Sequence, residues 1–176
     1  MTLAWIYTLL GAVALQRILE LVHAARNTRR LMARGGREIA REHYPYLVTL
    51  HVCWLVTMIL LARPTASVHW LLLAAFLLLQ GLRIWVIASL GPYWTTRIVT
   101  VEGEPLRRTG PYRWLRHPNY VVVALEIPLL PLVIDLPVVA LAFGLVNLIL
   151  LGLRITEEER ALAPRRRRPP AGSGAV

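Results

Sequence analysis

The sequence predicts an all-α integral membrane protein of about five transmembrane helices, and three observations carry that prediction. Hydrophobic residues make up 56% of the 176-residue chain, above the roughly 45–50% usual in soluble domains. They gather in runs long enough to cross a bilayer, about 20 residues at the helical rise. The charge lies between those runs and is strongly biased, with a net +10.

Taken in order, Leu3 to Val22 reads as the first span, Tyr46 to Ala62 as the second and Val68 to Leu90 as the third. Val121 to Leu153 is too long for one helix and contains Pro128, Pro131 and the turn-like Asp135-Leu136-Pro137. It therefore reads as a tight hairpin of two helices, the fourth and fifth spans. Residues 1–163 form a single membrane domain. Residues 164–176, with Arg165 to Arg168 between prolines and small residues, have no apolar period to bury and read as a disordered Arg-rich tail.

Orientation follows from the arginines. Every basic residue is Arg: six lie in the first connection, five in the third, six in the C-terminal segment and only Arg63 in the second. The positive-inside rule places the N-terminus outside and the C-terminus in the cytoplasm. So basic a chain invites a nucleic-acid reading, but Arg set between spans faces anionic lipid headgroups instead. Membrane lipids are thus expected partners and nucleic acid is not. The lone Cys53 excludes an intramolecular disulfide and a cysteine metal cluster, and no metal site is expected; inside an apolar run it reads as a buried, inert thiol.

Polar residues inside spans are costly, about 2.5–3.5 kcal/mol for a charge at mid-bilayer, so each needs a reason. Gln16, Glu20, His23 and Asn27 share one face of the first helix. Gln80 and Arg83 share a face of the third, and Arg83 calls for Glu20, Glu126 or an anionic ligand. Asn119 and Glu126 look the same way on the fourth. Asn147, Arg154 and Glu158 make a stripe on the fifth that runs from the membrane to the cytoplasmic surface.

The connection from Gly91 to Tyr120 is unusually long for a compact bundle, and such loops are usually functional. It carries five Arg and the aromatics Tyr93, Trp94, Tyr112, Trp114 and Tyr120. Pro118 suits the first position of the following helix. His117 and the amides after it would then form a positive helix end fit for a carboxylate or phosphate. Beside Arg116, His117 is expected to stay neutral and act as an acceptor or weak base.

Gly110-Pro111-Tyr112-Arg113-Trp114-Leu115-Arg116-His117-Pro118-Asn119-Tyr120 resembles the GPYR-x-x-RHP-x-Y signature of the isoprenylcysteine carboxyl methyltransferase family. Glu158-Glu159-Arg160-Ala161-Leu162 resembles its second element, EE-x-x-L. The resemblance covers roughly residues 80–163 and is closest to a short bacterial branch associated with type III polyketide synthases. It departs from prenylcysteine enzymes after the acidic pair: they continue FG-x-x-Y, whereas here Ala163 leads into the Arg-rich segment.

The resemblance implies a multi-pass enzyme of the bacterial cytoplasmic membrane. It implies S-adenosyl-L-methionine held on the cytoplasmic side by Tyr112, His117, Pro118, Asn119, Tyr120 and Glu158. The acceptor it implies is lipophilic, an alkylpyrone or alkylphenol that enters from the bilayer and is methylated on oxygen. His117 or Glu126 is expected to help deprotonate it, and Arg116 or Arg154 to favour its anion. The alternatives are a prenylcysteine-type carboxylate acceptor, phospholipid N-methylation, and a non-catalytic protein whose basic loops bind headgroups.

Overall fold

A computed structural model describes residues 3–64, 66–102, 104 and 107–167, with side chains through residue 163. Five helices make the bundle: α1 (Leu3–Ala33), α2 (Tyr44–Leu61), α3 (Trp70–Leu90), α4 (Pro118–Val133) and α5 (Pro137–Arg167). In a bilayer core, helices satisfy every backbone group internally. Four of the five are long and apolar enough to cross; α4, with 16 residues, is a shorter apolar helix. At the helical rise it spans about 24 Å, less than the roughly 30 Å hydrocarbon thickness. Its ends are thereby drawn toward the membrane interior.

The hairpin turn falls at the predicted place. Ile134 to Leu136 link α4 to α5, with Asp135 at φ 61 in the left-handed region. Pro128 and Pro131 do not break the helix; both lie inside α4. A proline at 131 removes the amide that would bond the carbonyl of residue 127. The fully buried Trp54 replaces it, its Nε1–H donating to the Ile127 carbonyl at 2.9 Å.

α4 packs between α3 and α5, α2 packs on α5, and α1 stands against α2. Ile6, Leu10, Met58, Phe76, Leu130 and Val139 belong to one buried core. It fills the half of the bundle nearer the α4–α5 turn, here the hairpin end. The opposite, loop end is built differently. α1 does not stop at Val22 but runs on unbroken to Ala33, and Arg26, Arg29 and Arg30 ride on this extension. Beyond it, β1 (Arg37–Ile39) pairs antiparallel with β2 (Ile98–Thr100), Glu38 opposite Val99. The two basic connections are thus zipped together, which no periodicity announced.

Cys53 differs from expectation, being exposed on α2 and turned away from the core. Helical backbone continues across residues 164–167, and 168–176 of the expected tail lie outside the described residues.

Candidate functional site

At the loop end, Pro118 takes the first position of α4 and His117 caps it without a side-chain hydrogen bond. The Tyr120 amide, expected to be free, turns back to the His117 carbonyl at 3.1 Å, beside the regular first helical bond from Val121 at 3.3 Å. Pro118 has no amide to offer, which leaves the Asn119 amide as the one this helix start can present to a ligand. Gly110, at φ +54, sits where a Cβ would lie 2.0 Å from Ser89 Oγ. Thr109 Oγ1 donates to the Ser89 carbonyl at 2.7 Å, tying the 110–113 turn to the end of α3.

The stripe on α5 meets this helix start. Arg154 Nε donates to Tyr120 Oη at 2.8 Å, and Tyr120 Oη in turn donates to Glu158. Arg154 Nη2 donates to the Thr96 carbonyl at 2.5 Å, so α5 also grips the strand side of the loop. The His117 ring stacks on Tyr120 with centroids 5.4 Å apart. Its charged partners are carboxylates rather than Arg116: Nε2 lies 2.7 Å from Glu159 Oε1 and Nδ1 lies 3.7 Å from Glu158 Oε2. Burial pushes the Tyr112 phenol well above the ordinary tyrosine range, and Glu158 adds to the shift. Asn119 Oδ1 is buried without a hydrogen-bond partner. Farther in, Asn147 is fully buried and donates to the Val123 carbonyl at 3.4 Å.

One cavity of about 900 Å³ runs from these groups toward the hairpin end. Arg116, His117, Asn119, Tyr120, Arg154 and Glu158 all line it, as does Tyr112. Its inner walls are apolar faces of α1 and α2, among them Ile18, Val52, Val56 and Ile59. These four side chains are exposed rather than packed in the core. α1 and α2 thus border the cavity with aliphatic side chains at the depth where lipid chains would lie.

Glu126 is elsewhere. It is 2% exposed and absent from the lining. Gln80 donates to it at 3.0 Å, Arg83 Nη1 at 3.0 Å, and Arg17 completes its partners. Arg83 also grips Glu20 through Nε at 2.7 Å and Nη2 at 2.6 Å, while Arg17 Nη1 reaches Glu20 at 2.7 Å. Two guanidinium groups and two carboxylates from α1, α3 and α4 thus close a ring whose formal charges cancel. Gln16, bonded to Gln80 and Glu20 at 3.0 Å each, belongs to it. Arg83 finds both carboxylates expected for it, not one. Asn27 of the same α1 face instead donates to the carbonyls of Gly91 and Trp94 at 3.1 and 2.9 Å, anchoring the loop.

The sequence profile of the isoprenylcysteine carboxyl methyltransferase (ICMT) family matches residues 70–164, which carry the 110–120 turn, the α4–α5 hairpin and the acidic pair. The chain belongs to the ICMT family. Members are S-adenosylmethionine-dependent methyltransferases of membranes. Among relatives, it is 39% identical over 160 residues to "Uncharacterized protein YpbQ" of Bacillus subtilis (strain 168), covering 89% of this chain and 95% of that one. It is 25% identical over 152 residues to an uncharacterized protein of Haemophilus influenzae, covering 84% and 88%. No solved structure matches it significantly.

Three participants escaped sequence reasoning. Arg17 was visible as a charge inside a span but sits one residue off the polar stripe of α1. His51 was visible as the lone histidine inside α2. The Thr96 carbonyl is a backbone group that no side-chain pattern reveals.

Proposed function

We propose that this protein methylates the hydroxyl of an amphiphilic lipid, an alkylpyrone or alkylphenol, using S-adenosyl-L-methionine as donor. The observation that carries the reading is the cavity itself, lined by aliphatic side chains of α1 and α2 and strongly cationic at its loop end. An amphiphile of that kind fits it with its tail in the membrane and its oxygen toward the loop.

The residues at the loop end fit the donor. A zwitterionic sulfonium needs partners of both signs. Glu158 offers a carboxylate for its ammonium or ribose hydroxyls, and Asn119 Oδ1 is an acceptor still lacking a donor. Arg116 suits its carboxylate, and the faces of Tyr112 and Tyr120 suit a sulfonium. Pro118 sets the backbone that presents them. Once bound, the donor supplies an electrophilic methyl group. The chain's own part is to hold the two reactants in line and keep water out, which carries most of the rate in such a transfer.

Arg154 is held rigid by Tyr120 and Thr96 and favours an anionic oxygen near the loop. His117 is committed to Glu158 and Glu159 and orders the donor side. Glu126 is committed to Arg17, Arg83 and Gln80 and supports the site from below. Arg97, Arg107, Arg108, Arg113 and Arg116 also line the cavity, which disfavours an amine acceptor and so argues against phospholipid N-methylation.

The test is a competition assay in detergent with labelled donor. Long-chain alkylpyrone, alkylresorcinol, a farnesylcysteine analogue and phosphatidylethanolamine are offered at equal concentration. Label should enter the alkylpyrone or alkylresorcinol. Label mainly in the farnesylcysteine analogue or the phosphatidylethanolamine refutes the acceptor class.

A further inference from the structure

We propose that His51 of α2 takes the hydroxyl proton of the lipid acceptor during methyl transfer, with Arg17 holding the charge left on oxygen. The inference rests on the reading above. Two histidines line the cavity, His51 and His117. Both ring nitrogens of His117 face carboxylates. His51 differs: its Nδ1 lies 2.8 Å from the Leu47 carbonyl. A carbonyl can only accept, so the proton of the neutral ring is on Nδ1 and the lone pair is on Nε2. No protein group among the described residues engages that lone pair. An imidazole oriented through one nitrogen and free at the other has the form of a general base.

The position along the cavity supports the same role. Val52, Leu55, Val56 and Ile59 continue along α2 from His51 toward the hairpin end, and Ala14 lies about one turn beyond Arg17 on α1. In the other direction Leu47, Val48 and Leu21 are joined by the polar Thr96, Arg97, Tyr112 and Arg154. His51 and Arg17 are therefore the first polar side chains that α2 and α1 present to the cavity from the hairpin end. An amphiphile with its tail among those aliphatic residues has its first oxygen at that level. The charged groups within reach of His51 are Arg17 of α1, Arg83 of α3 and Glu126 of α4. Arg17 and Arg83 line the cavity together with Glu20, which pairs with both, whereas Glu126 does not line it. The ring they belong to is neutral as a whole, so what Arg17 offers an anionic oxygen is hydrogen-bond donation, its Nε being without a partner among the described residues.

The step balances as follows. The acceptor O–H bond breaks and its proton passes to Nε2 of His51. An electron pair on that oxygen forms the new O–CH3 bond as the S–CH3 bond breaks, leaving its pair on sulfur as a neutral thioether. The positive charge that entered on sulfur is now on His51, which returns the proton to water at the loop end.

A base matters most when the acceptor cannot ionise alone, so the test is a series of long-chain alkylphenols of increasing acidity ending in an alkylpyrone. His51→Ala and His51→Gln should each lower kcat at least about 100-fold for the least acidic phenol, within the usual range for general-base catalysis. The deficit should shrink below about tenfold for the alkylpyrone. Calorimetric affinity for S-adenosylhomocysteine should stay unchanged, showing that the variants are folded. A second readout needs no turnover. A long-chain alkylnitrophenol bound to donor-free wild-type protein should turn yellow at a pH where the free dye is colourless, and the variants should lose that colour. An equal loss across the whole series with the colour retained, or no loss at all, overturns the proposal. If the wild-type protein binds S-adenosylhomocysteine but methylates none of the series, the reading above fails first and this inference falls with it.

Discussion

At the scale of single residues, the site depends on one hydroxyl. Tyr120 Oη accepts from Arg154 and donates to Glu158, joining a cation and an anion that would otherwise face each other across the cavity mouth. Bonds to charged groups contribute about 1.5–3 kcal/mol each. Glu158→Gln and His117→Ala should each weaken S-adenosylhomocysteine binding at least about tenfold by calorimetry, the loss of one charge-assisted contact. Unchanged affinity in both, with thermal unfolding intact, would remove them from the donor site. Tyr120→Phe should do comparable damage without deleting any charge. Restoring affinity at high salt would not be expected, because these bonds are largely shielded from solvent.

At the scale of elements, two devices hold helices that hydrophobicity alone would leave free to slide. Lipid tails are as apolar as leucine, so packing and polar contacts must decide which helix faces which. The first device is the ring of Arg17, Glu20, Arg83 and Glu126, which fixes α1, α3 and α4 in register. Glu126→Ala leaves two guanidinium groups facing one carboxylate and should destabilise by about 3–5 kcal/mol. In a thermal melt in detergent this is a drop on the order of 10 °C. The charge-balanced double variant Arg17→Met with Glu126→Leu should melt higher than Glu126→Ala alone. The second device is Trp54. Its indole serves the Ile127 carbonyl that Pro131 strands. Trp54→Phe keeps the ring packing and loses the donor, so it should cost about 1–3 kcal/mol, read in the same melt.

At the scale of the whole molecule, the bundle divides its length between a solid half and a hollow one. The core of Ile6, Leu10, Met58, Phe76, Leu130 and Val139 fills the hairpin end. The cavity occupies the loop end and reaches along α1 and α2 as far as Ala14 and Ile59. The arginine distribution predicts that this end faces the cytoplasm. A reporter fused after Val176 should be cytoplasmic and one before Met1 extracytoplasmic. Finding both on the same side would require an even number of crossings and would sink the five-span arrangement.

The sequence by itself determined the membrane class, the number and order of helices, the α4–α5 turn at Asp135 and the family. Each of these is a local property: run length, proline and turn chemistry, or a contiguous motif. The inward stripe of Asn147, Arg154 and Glu158 was legible for the same reason, because helical spacing fixes a face. Only the tertiary structure decided what those faces meet. Glu126 shares a helix with the loop residues, yet it turns into an ion ring because two arginines from other helices compensate it there. His117 follows Arg116 in the chain but meets Glu158 and Glu159 in space, since α5 delivers carboxylates across 42 positions of sequence. The β1–β2 pairing and the placement of His51 on the cavity wall are likewise contacts between distant segments. Periodicity reports the face a residue takes, but its partner depends on how the helices cross, and that is set by packing summed over the whole bundle.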